Sequence, residues 1–486
     1  MKKKFFTNLV LLIGLNILVK PFWVFGIDRT VQNTVGAAEY GFYFSLFSFS
    51  LLLNILLDLG ITNFNNREIS RHPHLIQPHI TNIIGIKFLL AIFYGLIVFG
   101  LAVILGYDQR QVHLLWFLVL NQFLASFFLY LRSNISGLQN FVTDSLLSVL
   151  DRLIMIIICS MLLWTNIFDH KFKIEWFVYT QTIAYFISML VAFLLVRKRA
   201  GIFNFNFDIK FMMKILKKSY PYALLVVLMS IYYRIDSVML ERMLPGGNVE
   251  AGIYAQAFRI LDAFTMFAFL FATLLLPMYS RMIRRGIPVE DLTIFSLMLL
   301  MVPVTILSVT LIFYKNEFMD LLYHKYAFES ARILAVLMIA NIFVSIAYIA
   351  GTLLTAGGYL KELNIIAGIG LLLNVGLNIL FIPEFAAFGS AVASVITQIL
   401  VVIFQVFLIY RLFNLRKQTR IILKLLGFII LVILLGYFST KIAIPWLLKA
   451  LVIAVLAFIG AFWAGLIKPK VLISLFKSDE EMLINE

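Results

Sequence analysis

The sequence predicts an all-α, polytopic membrane protein with about 14 transmembrane helices. Hydrophobic residues make up 62% of the 486-residue chain and charged residues only 13%, whereas an ordinary soluble domain is roughly 45–50% apolar. About 20 consecutive apolar residues suffice to cross a bilayer as a helix. The chain contains many such runs, and the connections between them are short, which leaves no room for a soluble catalytic domain.

The apolar runs define the predicted spans in order along the chain. Lys2-Lys3-Lys4 ahead of the first run resembles a secretion signal. The run is too long for one, carries Lys20 and lacks a small-residue cleavage site, so we interpret it as an uncleaved span. The only cysteine, Cys159, lies within a span and is interpreted as a small packed hydrophobe. The predicted spans are 7–27, 41–63, 81–105, 112–132, 145–165, 176–196, 219–240, 252–279, 292–314, 331–356, 363–382, 387–410, 421–438 and 446–467.

The distribution of basic residues predicts the orientation. The chain carries 40 Lys and Arg and a net charge of +15. With the N-terminus inside, the inside loops and tails hold about three times as many Lys and Arg as the outside loops, as the positive-inside rule expects. This pattern predicts a plasma-membrane protein with both termini cytoplasmic and no nucleic-acid partner. The densest cluster, Arg197–Arg199 with Lys210, Lys214, Lys217 and Lys218, is either a topology anchor or a site for anionic membrane lipids.

The two halves of the chain contain a similar pair of motifs. Ile27-Asp28 leads to E-Y-G-F-Y at 39–43, and Ile235-Asp236 leads to E-A-G-I-Y at 250–254, 211 residues later. Six spans separate the copies, so the repeats have the same orientation. Parallel repeats are a standard way to build a transporter whose site lies between two lobes; chance similarity is the alternative.

The repeat and the span order divide the chain into predicted domains. Residues 1–200 form an N-terminal six-helix lobe, and 219–412 form a C-terminal six-helix lobe. Residues 413–486 hold a terminal helix pair and a cytoplasmic tail. The aromatic and basic stretch 201–218 is suited to the cytoplasmic surface, where it is either a tether for rocking lobes or a plain connector.

Charges within the predicted spans are the candidate site residues, because a charge at membrane depth is costly unless it faces a protein interior or a watery cavity. The candidate substrate-binding cations are Lys20, Arg29, Lys87, Arg152, Arg234 and Arg259. Four of these cations have no acidic residue three or four positions away on the same helix: Lys20, Lys87, Arg152 and Arg234. Each of the four therefore either lines a cavity or pairs with an acid on another helix. For Arg259, a salt bridge to Asp262 on the same helix face is the alternative.

The buried acids nearly balance the cations. The candidate ion-coupling residues are Asp28, Asp58, Asp151, Asp236 and Asp262. Such acids bind protons, bind sodium or neutralise a neighbouring cation, and the sequence leaves these roles open. Prolines inside spans, in Lys20-Pro21 and at Pro303, bend a helix beside a substrate site or simply kink it for packing.

Other chemistry has little support in the sequence. His72-Pro73-His74 with His79 lacks the spacing of a metal site, and there is no Gly-rich phosphate loop or nucleophile elbow. We therefore expect no metal, no cofactor and no catalytic residue.

Several motifs in order along the chain resemble bacterial polysaccharide flippases of the O-antigen (Wzx) type. These flippases belong to the multidrug/oligosaccharidyl-lipid/polysaccharide exporter superfamily. The motifs are Gly36–Tyr43 (GAAEYGFY), Leu57–Ile61 (LDLGI), Arg234–Asp236 followed by Gly252–Tyr254, Leu322–Tyr326 (LYHKY), and Asn374, Asn378, Ile382-Pro383 and Gly389–Ala391.

The resemblance implies a MATE-like fold, with two six-helix lobes in a V around a central cavity and a final helix pair. It implies translocation of an undecaprenyl-pyrophosphate-linked oligosaccharide to the outer face, with coupling to a proton or sodium gradient. The polysaccharide polymerase and chain-length machinery are further candidate partners. The Asp28-Arg29 order reverses the Arg-Asp order of related lipid II flippases, which argues against carrying over a lipid II role.

Two other functions are weighed against the flippase. A multidrug extrusion pump of the same fold would favour an acid-dominated cavity, and the near balance of charges argues against it. A membrane polysaccharide polymerase or glycosyltransferase would need an extended outer loop with polar catalytic groups. The longest outer loop, around 315–330, is short and lacks them.

Overall fold

The computed structural model describes residues 14–16, 18–62, 65–66, 69, 76–138, 140–165, 172–200, 209–413 and 419–466. Some sequence features lie outside these described residues: the start of the first predicted span, the His72-Pro73-His74 group with the His79 side chain, residues 201–208 of the predicted linker and the tail after 466.

Helices make up most of the described residues, and no β-strand occurs among them. A π-helical segment, Phe22–Asp28, runs directly into the first α-helix. The α-helices are α1 (Arg29–Leu52), α2 (Ile76–Ile104), α3 (Gln109–Gly137), α4 (Phe141–Trp164), α5 (Ile174–Ala200), α6 (Ile209–Met243), α7 (Gly247–Arg284), α8 (Glu290–Phe313), α9 (Lys315–Leu322), α10 (Ala327–Ala356), α11 (Leu360–Leu412), α12 (Thr419–Thr440) and α13 (Trp446–Trp463).

The helix lengths confirm the predicted fold class. Within the described part of the chain, eleven helices are long and apolar enough to cross a membrane. The 53-residue α11 would rise about 80 Å as one straight helix, far more than a hydrocarbon core of about 30 Å. It breaks at Ala386, where φ is 48° and ψ is −133°. The two runs on either side match two of the predicted spans, and the whole agrees with about fourteen spans.

A similar break lies near the start of the chain. Gly36 in α1 has φ 81° and ψ 170°, a conformation that glycine adopts without the steric penalty of a side chain. The break falls between the first two predicted spans. The π-helical segment before it follows Lys20-Pro21, and π-helical turns are frequent at functional sites.

Contacts divide the chain into two compact units. Unit 1 contains Met1–Arg259, Leu322–Tyr326 and Ala367–Ala393; unit 2 contains Ile260–Leu321, Ala327–Ile366 and Ser394–Glu486. This division follows contacts alone and differs from the predicted boundaries at 200, 219 and 412, which stay a prediction. Unit 1 includes all of the predicted first lobe together with three segments of the predicted second lobe.

Unit 1 is built on apolar contacts among its first helices. Phe127, Phe128 and Leu131 of α3 pack against isoleucines of α2 and against Val196 of α5. A second cluster joins the C-terminal half of α1 to α2, α3 and Val238 of α6. These apolar contacts fix the positions of the helices that carry the buried charges.

Unit 2 contains the terminal helix pair, packed on α8. Phe428 of α12 and Ile453 of α13 share a buried cluster with Val302 of α8. A Cβ at Gly436 of α12 would overlap the ring of Phe313, so glycine permits this close approach. The predicted pair is therefore docked against a helix of the predicted second lobe.

Two glycines from the repeated motifs meet at one helix crossing in unit 1. A Cβ on Gly41 of α1 would overlap the carbonyl oxygen of Asn248, and a Cβ on Gly252 of α7 would overlap that of Ala37. Ala37 lies four residues before Gly41, and Asn248 lies four residues before Gly252. The two contacts are therefore related by the same 211-residue shift that separates the two motifs. This symmetry supports the internal repeat and explains why both copies carry glycine there.

We expect Gly41→Ala and Gly252→Ala each to lower the apparent melting temperature of the detergent-solubilised protein. Alanine favours helix over glycine, but here its methyl group meets a backbone carbonyl, and overpacking costs about 1–3 kcal/mol. Gly100→Ala in α2 is the control, because nothing lies within 4 Å of its Cβ position. An unchanged or higher melting temperature for both crossing variants would contradict this account.

Candidate functional site

The best-defined buried charge pair in unit 1 joins Lys87 of α2 to Asp58. The Lys87 Nζ atom lies 2.5 Å from Asp58 Oδ1, and it also donates to the Leu57 carbonyl oxygen at 3.0 Å and to Ser126 Oγ of α3 at 3.1 Å. The Lys87 side chain is only 1% exposed. Of the two roles that the sequence left open, the structure shows pairing between helices. The contacts that Lys87 makes are those of a structural ion pair, and a substrate-binding role for Lys87 stays a prediction.

The Lys87 ammonium sits where the backbone leaves helical geometry. The α1 helix ends at Leu52, a 3-10 turn covers Asn54–Leu57, and Leu59 and Gly60 have φ values of 46° and 84°. The last carbonyls of a helix have no partner within it. By donating to the Leu57 carbonyl, Lys87 satisfies one of these groups inside the membrane, and this requirement explains a lysine at that depth.

A second charged group surrounds Asp28, at the end of the π-helical segment. The Tyr40 hydroxyl donates to both Asp28 carboxylate oxygens at 2.8 and 3.0 Å, and Gln32 Nε2 donates at 3.2 Å. Arg259 Nε of α7 lies 3.4 Å from Asp28 Oδ2 and 3.0 Å from the Tyr40 hydroxyl oxygen. The structure thus brings together two predicted site residues, Asp28 and Arg259, that are far apart in sequence. The Arg259–Asp262 salt bridge stays a prediction; Asp262 belongs to unit 2.

Asp236 of α6 is held by donors from two other helices. The Tyr254 hydroxyl of α7 donates to Asp236 Oδ2 at 2.8 Å, and Asn378 Nδ2 of α11 donates to Oδ1 at 2.8 Å. Asn378 Nδ2 also lies 3.1 Å from Asn374 Oδ1, one helical turn away. Asp236, Asn374 and Asn378 are all buried. The carboxylate therefore belongs to an oxygen- and amide-rich polar group within the membrane-spanning part of unit 1.

Arg152 of α4 lies among aromatic rings. Its guanidinium carbon is 5.3 Å from the Trp23 ring centroid and 6.0 Å from that of Tyr185 of α5. Its Nε lies 3.5 Å from Asp151 Oδ2. The Arg152 side chain is 30% exposed, so part of it is accessible. Lys20 is near enough for electrostatic interaction with both Arg152 and Asp151.

Arg234 and Arg259 lie against the two rings of one aromatic pair. The Arg259 guanidinium carbon is 5.2 Å from the Phe44 centroid, and that of Arg234 is 5.2 Å from the Phe258 centroid. Phe44 and Phe258 are in edge-to-face contact, with centroids 6.0 Å apart. A guanidinium stacked on a ring keeps its in-plane N–H groups directed at the edges, where they suit carboxylate or phosphate oxygens.

The remaining predicted cation, Arg29, contacts a backbone carbonyl. Arg29 Nε donates to the Leu322 carbonyl oxygen at 2.5 Å. The structure therefore places Arg29 beside the segment that follows α9, while Asp28, the adjacent residue, faces Tyr40 and Arg259.

Sequence reasoning missed several residues that complete these groups. Tyr40, Tyr254, Asn378, Trp23 and Tyr185 are not charged, so a search for buried ions passes over them. A usable signal existed for three of these: Tyr40 and Tyr254 lie in the repeated motifs, and Asn378 follows Asn374 by one helical turn. Trp23 and Tyr185 carried no signal that separates them from ordinary packed aromatics.

We expect Lys87→Met to destabilise the protein by about 3 kcal/mol, the lower end of the cost of breaking a buried ion pair, because Asp58 is 23% exposed. The double variant Lys87→Met/Asp58→Asn should recover much of the loss, since it leaves no unpaired charge. The measurement is the yield and apparent melting temperature of solubilised protein. A double variant no more stable than Lys87→Met would show that the pairing is not what stabilises this region.

Comparison with known proteins places the chain in a family. Residues 10–283, more than half of the chain, match the family described as polysaccharide biosynthesis protein. The chain is also 28% identical over 214 residues to an uncharacterized membrane protein of Methanocaldococcus jannaschii. That match covers 43% of this chain and 47% of the relative, so it spans about half of the relative's length.

Two solved structures share the fold. The lipid II flippase MurJ in an inward closed conformation superimposes with a TM-score of 0.70 at 18% identity, covering 94% of this chain and 100% of MurJ. An inward-facing multidrug resistance MATE transporter of the MOP superfamily gives a TM-score of 0.61 at 16% identity, covering 82% of this chain and 94% of the transporter. At such identities the likeness concerns the fold. The chain belongs to the polysaccharide biosynthesis protein family and shares its helical fold with these two membrane transporters.

Proposed function

We propose that this protein moves an undecaprenyl-pyrophosphate-linked oligosaccharide, an O-antigen, capsule or exopolysaccharide repeat unit, across the bacterial inner membrane by alternating access. Both termini lie in the cytoplasm in this proposal. The main support is the set of ring-stacked arginines in unit 1: Arg152 on Trp23 and Tyr185, Arg259 on Phe44 and Arg234 on Phe258. Their N–H edges suit the oxygens of a pyrophosphate.

The buried acids give the proposal a route to ion coupling. Arg259 lies against Asp28, and the pyrophosphate would compete with that carboxylate for the same guanidinium. A proton bound to Asp28 would weaken the ion pair between Asp28 and Arg259 and would favour binding of the pyrophosphate to Arg259. Asp236, held by Tyr254 and Asn378, is a second candidate for binding a proton or sodium. Asp151, beside Arg152, is a third.

The proposed site also accounts for the rest of the substrate. The half-buried ring of Tyr185 beside Arg152 would stack on a sugar ring, and the polyprenyl chain would stay in the bilayer. The protein does not need to form or break a covalent bond, so we propose no enzymatic activity. The polysaccharide polymerase and chain-length machinery would act on the exported repeat unit.

We expect Arg152→Ala, Arg234→Ala and Arg259→Ala each to reduce surface polysaccharide in a flippase-deficient strain complemented with this gene. A hydrogen bond to a charged group contributes about 1.5–3 kcal/mol, so the initial export rate should fall by about 10- to 100-fold. The Arg→Lys variants should retain part of the activity, because lysine keeps the charge but loses the bidentate geometry.

The control is Arg281→Ala at the exposed end of α7, which should export normally at equal membrane abundance. Normal export by all three alanine variants would overturn the site assignment. A deletion strain with normal surface glycan and raised drug sensitivity would instead favour a multidrug pump.

A further inference from the structure

The segment Leu322–Tyr326, here called the outer segment, begins at the last residue of α9 and is held by α1. Arg29 Nε donates to the Leu322 carbonyl oxygen at 2.5 Å, and Asn33 Nδ2 donates to the same oxygen at 2.8 Å. The backbone N–H of His324 points back to Asn33 Oδ1 at 3.3 Å. Asn33 thus holds the outer segment through both ends of its side-chain amide.

Helix α7 holds the other side of the outer segment. Gln256 Nε2 donates to the Lys325 carbonyl oxygen at 3.3 Å, and the Tyr323 hydroxyl donates to the Gln256 carbonyl oxygen at 3.3 Å. Tyr326 ends the segment with φ 58°, a left-handed conformation that is uncommon for a bulky residue. The outer segment therefore bridges α1 and α7, and the contacts that hold it are made mostly to backbone atoms.

The same stretches of α1 and α7 carry the candidate substrate site. Arg29 follows Asp28 directly, and Gln256 lies one helical turn before Arg259. The glycine crossing at Gly41 and Gly252 joins the same two helices. In the predicted orientation, the connections between predicted spans at 28–40, 241–251 and 315–330 all lie on the outside. The contacts of the outer segment therefore lie at one end of the membrane-spanning helices. For this end to open, α1 and α7 must separate, and the outer segment must leave at least one of them.

We propose that the outer segment is a releasable latch that holds α1 and α7 together on the outer side, and that Arg29 changes from a latch contact to a substrate contact when it releases. This inference rests on the proposed transport function. The latch contacts are single hydrogen bonds to or from main-chain atoms and not ion pairs, which suits contacts that must break in every transport cycle. The Lys87–Asp58 pair is buried and charged by comparison, and it is expected to stay intact.

The test is to link the outer segment covalently to α1. Cys159 is the only cysteine in the chain, so Cys159→Ala gives a cysteine-free background. Into it we would place Asn33→Cys with His324→Cys, and bridge the pair by oxidation or with a short bis-thiosulfonate reagent. The control pair is Ser308→Cys with Asn341→Cys, whose native side chains are hydrogen-bonded at 3.1 Å between α8 and α10, within one predicted lobe. Bridging is quantified by mass spectrometry, and surface polysaccharide is measured before and after reductant.

The proposal expects export to fall in proportion to the bridged fraction of the latch pair and to return with reductant, while bridging of the control pair leaves export unchanged. Full export by a completely bridged latch pair would overturn it. Failure of the wild-type chain to restore export would refute the proposed transport function instead.

The latch can then be judged without transport, by labelling Gln256→Cys with an impermeant maleimide. Labelling should be slow in the Cys159→Ala background, because Gln256 is buried. Labelling should become faster when Asn33→Ala and Arg29→Ala are added. Equal labelling rates with and without these changes would overturn the latch.

Discussion

The need to satisfy charge inside an apolar bilayer is the constraint on which the arrangement of unit 1 depends. A carboxylate or ammonium at membrane depth is costly unless protein groups replace its water. Asp58 meets Lys87 of α2, Asp28 meets Tyr40 and Arg259, and Asp236 meets donors from α7 and α11. Each acid therefore links separate segments of the chain, and Asp28 and Asp236 link helices that are distant in sequence.

Aromatic rings give the buried arginines a second kind of environment. A ring face stabilises a guanidinium by about 0.5–2 kcal/mol without using its N–H donors. Arg259 shows the consequence, because it stacks on Phe44 while its Nε reaches the Tyr40 hydroxyl. An arginine held in this way keeps its position when one hydrogen-bond partner is exchanged for another.

The contacts within unit 1 differ in strength. The Lys87–Asp58 pair completes a broken helix end within the membrane, so breaking it would expose both a charge and a backbone carbonyl. The contacts of Leu322–Tyr326 are neutral or singly charged hydrogen bonds to main-chain atoms, and water could replace them at a membrane surface. The glycine crossing adds close packing without a covalent or ionic tie.

The sequence by itself determined the helical membrane fold, the approximate span positions and the set of buried charges, because hydropathy and helix length are local properties of the chain. It also indicated the repeated glycine motifs, although not that the two glycines touch. Tertiary structure decided the partners: Lys87 pairs with Asp58, which is 29 residues away in sequence. Asp28 and Arg259 likewise meet across α1 and α7. Which buried charge neutralises which depends on how helices pack in three dimensions, and neither helical periodicity nor composition encodes that pairing locally.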